Sequence, residues 1–232
     1  MKTYLFIVII SLSNYALCQT PDFSAYSRIT NPDFEAFVNL FSSKNLPIES
    51  QDIRNSSFQD LGVKTFTESM INSFLKVNGE YMLPKLYTLQ DEDSTLIDRY
   101  GNFFSVCKLP TNGDYVLLVI YQIDGPNDWF YRSWVLSYDL NGNFLKIIGN
   151  GFLTSGVDNY ISCSINSQLE FIYNYVNITP NDRSSWLNCN PCNNHHTTNV
   201  YQILNSGLDT LSTSTDNGTA TFNYNGYFFE QQ

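Results

Sequence analysis

The residues best equipped for chemistry are crowded into one stretch, "NCNPCNNHH" at 188–196, which holds Cys189, Cys192 and both histidines, His195 and His196. Three chemistries compete for it. As a dithiol, "CNPC" has the two-residue spacing of an exchange motif, but such a pair needs a helix N-terminus to lower the pKa of its first thiol. The residues that follow, "NNHHTTN", make a poor helix. As a metal site, two cysteines and two histidines are ligands that zinc accepts, yet four ligands within eight residues leave too little backbone to close a tetrahedron. On an extended chain, moreover, His195 and His196 would point to opposite faces. The remaining chemistry is a disulfide, Cys189 to Cys192, clamping an exposed loop. That is the expectation, with no metal and no cofactor. Cys107 and Cys163 are left as buried residues, either as thiols or bridged to each other.

No G-x-S-x-G, H-E-x-x-H or glycine-rich phosphate loop occurs in the sequence. Two adjacent histidines in a polar stretch do not furnish a Ser-His-Asp or Cys-His centre. A glycoside hydrolase needs only two carboxyl groups, and Asp128, Asp139 and Glu170 qualify by type, but sequence spacing brings no two of them together. No catalytic residue is assigned. Binding is better served by "DWFYRSWVLSYDL". Strand alternation puts Phe130, Trp134, Leu136, Tyr138 and Leu140 on one face, as core, and Trp129, Tyr131, Ser133, Ser137 and Asp139 on the other. Trp129 and Tyr131, with Asp124 and Asp128 from the acidic loop beside them, form the candidate ligand site. Aromatic rings accept the C–H face of a sugar while carboxylates take its hydroxyls. The competing expectation is a second layer covering these rings, as most large aromatics are buried.

The elements that must position such a site begin after an export signal. Lys2, the apolar "YLFIVIISL" and the small residues of "YALCQ" have the layout of a secretory leader, with cleavage expected before Gln19. Lipidation at Cys18 is the lesser reading, since Leu17 stands where a lipoprotein signal wants a small residue. The leader run is too short to span a bilayer and no later stretch is long enough, so the address is secreted or periplasmic. Removing 1–18 takes away one lysine and no acid, which moves the net charge from −10 to −11. That balance excludes nucleic acid as partner.

In the mature chain, "TNPDFEAFVNLFSS" predicts a helix opened by Pro32 behind a Thr or Asn cap, with Phe34, Phe37, Val38 and Phe41 on one face. "TESMINSFLKVNG" predicts a second, capped by Thr67 and closed at Asn78-Gly79. From about residue 100 the period becomes two, with turns at Asn112-Gly113, Asn141-Gly142, Asn166-Ser167, Asn205-Ser206-Gly207 and Asn225-Gly226. "DYVLLVIYQI" is apolar on both faces and reads as a central, covered strand. Roughly eight to ten strands without βαβ alternation are too few for a propeller. The expectation is one α+β domain over 19–232: a helical part at 19–90, then an antiparallel meander at 100–232 forming a curved sheet or a two-sheet sandwich. Asn55, Asn177 and Asn217 stand in Asn-x-Ser/Thr acceptors.

The order of a Phe-rich helix ending in "LP", a short second helix, a meander around "LSYDLNGNFLKII" and a last hairpin around "FNYNGYFFE" resembles a loose group of secreted or lipid-anchored bacterial envelope proteins of unassigned activity. The resemblance covers most of the mature chain and implies an envelope address and an α+β layout, with no reaction attached. Taken together, the expected function is non-catalytic binding of a glycan or an envelope protein. An acid-pair hydrolase acting on extracellular polysaccharide and a structural or immunity-type partner protein are the alternatives.

Overall fold

In a computed structural model of the chain, the described residues are 20–49, 64–90, 95–124, 130–150, 155–156, 159–179, 188–204, 207–224 and 229–231. The expected leader, with Cys18, lies outside them. Among them, no helix is long and apolar enough to cross a membrane.

Helix α1 (Pro32–Val38) starts where the proline and its cap require. Asn31 is extended, and its side chain accepts hydrogen bonds from the amides of Asp33 and Phe34, which otherwise lack helical partners. Phe34, Phe37 and Val38 are buried. Helix α2 (Glu68–Phe74) is capped by Thr67, which accepts from Met70 N. It ends earlier than its sequence pattern suggests. Lys76–Val77 and Glu80–Tyr81 pair instead as strands β4 and β5, and Asn78-Gly79, both at positive φ, form the tight turn between them rather than a helix terminus.

The segment expected to be helical also supplies strands. β1 (Ser42–Ser43), β2 (Ile48–Glu49) and β3 (Lys64–Thr65) each dock on an edge of a larger sheet, and β6 (Tyr87–Gln90) pairs with β7 (Leu96–Arg99) as a separate hairpin. A first sheet runs β1, β8 (Asn102–Leu109), β9 (Tyr115–Asp124), β10 (Phe130–Asp139), β11 (Phe144–Asn150), with β3 beside β1 on β8. A second runs β12 (Ser155–Gly156), β13 (Asn159–Ile165), β14 (Glu170–Thr179), β15 (Asn188–Leu204), β16 (Gly207–Tyr224), β17 (Phe229–Gln231), with β2 also on β13. All of β8 to β17 pair antiparallel, as a meander should; only β1 joins parallel. Sequence turn signals suggested separate strands around "LDTLST" and "TATFNY". They form one strand, β16.

The first sheet is covered on both faces. On β9, Tyr115, Leu117, Val119, Tyr121 and Ile123 pack into a cluster shared with Ile48, Cys163, Ile165, Phe171 and Ile203 of the second sheet. Val116, Leu118 and Ile120, from the opposite face of β9, join Phe34, Phe37, Phe41, Phe66, Phe74 and Leu75 of the N-terminal segment. This strand is therefore apolar on both sides because each side meets a different layer. Strand β10 follows the same rule: Trp134, Leu136 and Tyr138 are core, as expected, and face the helices. Ser133, Val135 and Ser137 face the other way and are fully buried, so this part of the candidate platform lies under a second layer, the competing expectation, and the layer on Val135 is the second sheet.

Candidate functional site

A buried amide organises an open polar recess. Gln122, near the end of β9, is fully buried. Its Nε2 donates to the carbonyl oxygens of Pro84 at 3.0 Å and Tyr100 at 2.9 Å, and its Oε1 accepts from Trp134 Nε1 at 2.8 Å. The amide is satisfied on both ends, as a buried polar group must be. In consequence, the β5–β6 connection and the Tyr100–Gly101 turn, where Gly101 sits at φ 68, are fastened to one end of the first sheet.

On that support the rings of Tyr81 and Tyr100 stack, 4.2 Å between centroids and 24° between planes. Phe103 packs behind Tyr81 at 5.5 Å, and Lys76 Nζ lies 4.6 Å from the Tyr81 centroid. A recess of about 370 Å³ opens beside them, lined by Tyr81, Asp98, Arg99, Tyr100, Gly101 and Asn102. Asp98 accepts from Lys85 Nζ at 2.7 Å and Thr88 Oγ1 at 2.9 Å. These two hydrogen bonds, Lys85 first, hold its carboxyl below the usual aspartate range. It is an acceptor and not a proton donor near neutrality, and it is the one acid among the described residues that line the recess.

Strand register brings part of the expected ligand site to this same end. Asn102 lies opposite Ile123, Ile123 opposite Tyr131, and Asp124 opposite Phe130. Asp124 and Tyr131 thus occupy strand positions next to the recess. Trp129 and Asp128 fall outside the described residues. The lining residues themselves were not singled out in the sequence. A weak signal was available in "DRYGN", an aromatic between charged residues and a Gly-Asn turn, but nothing in it shows that Tyr81 would arrive from a different hairpin.

The cysteine and histidine stretch is part of strand β15, not a loop. Cys189 pairs with Phe222 and Cys192 with Ala220, across a register shift. No helix starts there to lower a thiol pKa. His195 faces Asn177 and Asn217 in its row and His196 faces Val176 and Asp216 in the next, so the two histidines point to opposite faces of the sheet. His196 Nε2 lies 3.3 Å from Thr198 Oγ1, which donates to Asn174 at 2.9 Å. Among the described residues, no three His, Cys, Asp or Glu side chains gather as a metal site. The side chains of Cys189 and Cys192 lie outside the described residues. Cys107 and Cys163 are not bridged: both are thiols buried between the sheets, and burial pushes Cys107 up to about 12 and Cys163 higher.

Two of the three acids with hydrolase chemistry are occupied by turns. Asp139 accepts from the amides of Asn141 and Asn143 and from Asn143 Nδ2, all at 2.8–2.9 Å. Glu170 accepts from Asn166 Nδ2 at 2.6 Å in the β13–β14 turn. They sit in different sheets. A second, smaller recess of about 180 Å³ near Asp22, Ser24 and Asp114 is spanned by the Arg28–Asp114 ion pair. No family model, curated protein or solved structure matches this chain. Geometry alone must therefore carry the functional reading.

Proposed function

We propose that the protein is an exported, non-catalytic glycan-binding module whose ligand enters the recess at the Asn102 end of the first sheet, within a helix-covered two-sheet sandwich. The observation that carries this reading is the stacked Tyr81–Tyr100 pair held beside Asp98, Arg99 and Asn102. A half-buried ring with hydrogen-bonding side chains around it fits a pyranose, whose C–H face stacks while its hydroxyls find polar partners. The leader-like residues 1–18 support export, and the single acid of the recess favours binding over acid-pair hydrolysis.

The test is a glycan array probed with the mature chain and with Tyr100→Ala. Wild type is expected to retain one class of saccharide and the variant to lose it by about tenfold or more while remaining folded at the assay temperature; equal retention by both would remove the reading. Intact-mass measurement of the secreted chain tests the address, a start at Gln19 being expected, and a lipid adduct on Cys18 would relocate the protein to a membrane surface. The same measurement, after alkylation without reduction, reads whether Cys189 and Cys192 are bridged.

One observation favours the partner-protein reading. Residues 209–215 of β16 are all exposed, and among the described residues β16 pairs on its outer side with β17 only over Phe222–Tyr224. An open edge without Lys, Arg or Pro can accept another strand. Native mass spectrometry showing a stable dimer, lost on Ser212→Lys, would favour that function.

A further inference from the structure

The charge around the recess runs against that of the chain. The protein carries 12 Lys and Arg against 22 Asp and Glu. Yet Lys76, Lys85, Arg99 and Arg132 all reach the recess or the residues that build it: Lys76 over Tyr81, Lys85 on Asp98, Arg99 in the lining, and Arg132 Nη1 3.5 Å from the Lys85 carbonyl. Among the described residues, the acids on the same elements are Asp98, Glu80, Asp139 at the far end of β10 and, by strand position, Asp124. Asp98 already has its charge met by Lys85, and its Oδ1 accepts from Lys85 and Thr88. Arg99 is exposed, lines the recess, and among the described residues has no carboxylate partner. Tyr100, the next residue, is half-buried and has Tyr81 as its one ring partner among the described residues.

Resting on the glycan-binding reading above, we propose that the ligand of this recess is a carboxylated sugar, a uronic-acid type of pyranose. Its carboxylate pairs with the Arg99 guanidinium and its C–H face lies against Tyr100. A guanidinium presents its donors as a planar fork that matches a carboxylate two-for-two. A neutral sugar would leave that fork facing water. The Asp98–Lys85 pair beside it supplies an acceptor for a hydroxyl without cancelling Arg99, because its charge is met by Lys85.

The experiment is titration calorimetry of the mature chain with trigalacturonate and with its methyl ester, which keeps the rings and removes the charges. The same titrations are run on Arg99→Gln and Tyr100→Ala. Wild type is expected to bind the acid at least about tenfold tighter than the ester, and added salt should narrow the gap. Arg99→Gln should erase the preference by bringing acid binding down to the level of the ester; Tyr100→Ala should weaken both. Equal affinity for acid and ester, or a preference that survives Arg99→Gln, overturns the proposal. Tyr100-dependent binding of neutral oligosaccharides alone overturns only the acidic ligand, whereas no saccharide binding at all removes the glycan reading with it.

Discussion

Replacing Gln122 by Leu keeps a buried side chain of similar length but withdraws the hydrogen-bond partner that Gln122 gives to Trp134 Nε1 and to the carbonyls of Pro84 and Tyr100. Each orphaned buried group costs about 1–3 kcal/mol, so the variant should lose at least about 2 kcal/mol in urea unfolding and bind glycan more weakly, because Tyr100 is no longer tethered. Adding Trp134→Phe removes one of the orphans. The double variant should therefore be less destabilised than the two single changes summed, and simple additivity would mean that the amide does not couple these elements. Ser133 presents the opposite case. Its hydroxyl is fully buried and has no hydrogen-bond partner among the described residues, so Ser133→Ala should stabilise the protein by about 1 kcal/mol; a loss of stability would reveal a partner for that oxygen.

At the scale of elements, α1 is only seven residues long and cannot be stable alone. What holds it is the β10–β11 turn. Thr30 Oγ1 and Asn31 Nδ2 donate to the side chain and carbonyl of Asn141, at 2.7 and 3.0 Å. Gly142 has φ +88, and a Cβ there would stand 2.7–2.9 Å from Phe34. Both the backbone conformation and the close approach of Phe34 require glycine. Gly142→Ala should cost more than about 1 kcal/mol and loosen α1, seen as faster amide exchange at Glu35 and Asn39, whose amides bond to Asn31 O and Glu35 O. Unchanged exchange would show that the turn and the helix are independent.

For the molecule as a whole, stability depends on keeping the two sheets together. Gly149 on β11 lies directly against the Phe171 ring of the second sheet, with no room for a Cβ, so Gly149→Val should separate the layers and lower the thermal midpoint more than Gly79→Ala, whose site is open apart from its backbone strain. Titration gives a second whole-molecule readout. Burial raises Tyr115 and Cys107 to about 12, and Tyr26, Tyr138 and Cys163 further. A folded-state value above the unfolded one stabilises fully below the unfolded pKa, about 8.5 for Cys and 10 for Tyr, and that stability is lost as pH climbs toward the folded value. Urea midpoints should be flat from about pH 7 to 8 and fall steadily above about pH 9; a constant midpoint to pH 11 would contradict the buried positions of these groups.

Local physics made much of this chain legible from its residues. Pro32 behind Asn31, the Asn-Gly turns, and the unbroken apolar run of β9 act through backbone conformation and alternation, which neighbours in sequence determine. The order of strands from β8 onward and the core faces of α1 and β10 follow from them. Register and layer assignment do not, because they depend on which distant surface covers each face. Only the tertiary structure decided that Ser133 and Ser137 lie under a second sheet, that "CNPC" is strand, that Cys107 and Cys163 stay thiols, and that Asn78-Gly79 turns a hairpin. The recess was hidden for the same reason: Tyr81, Asp98, Arg99 and Asn102 come from three strands, and a buried glutamine on a fourth brings their loops together.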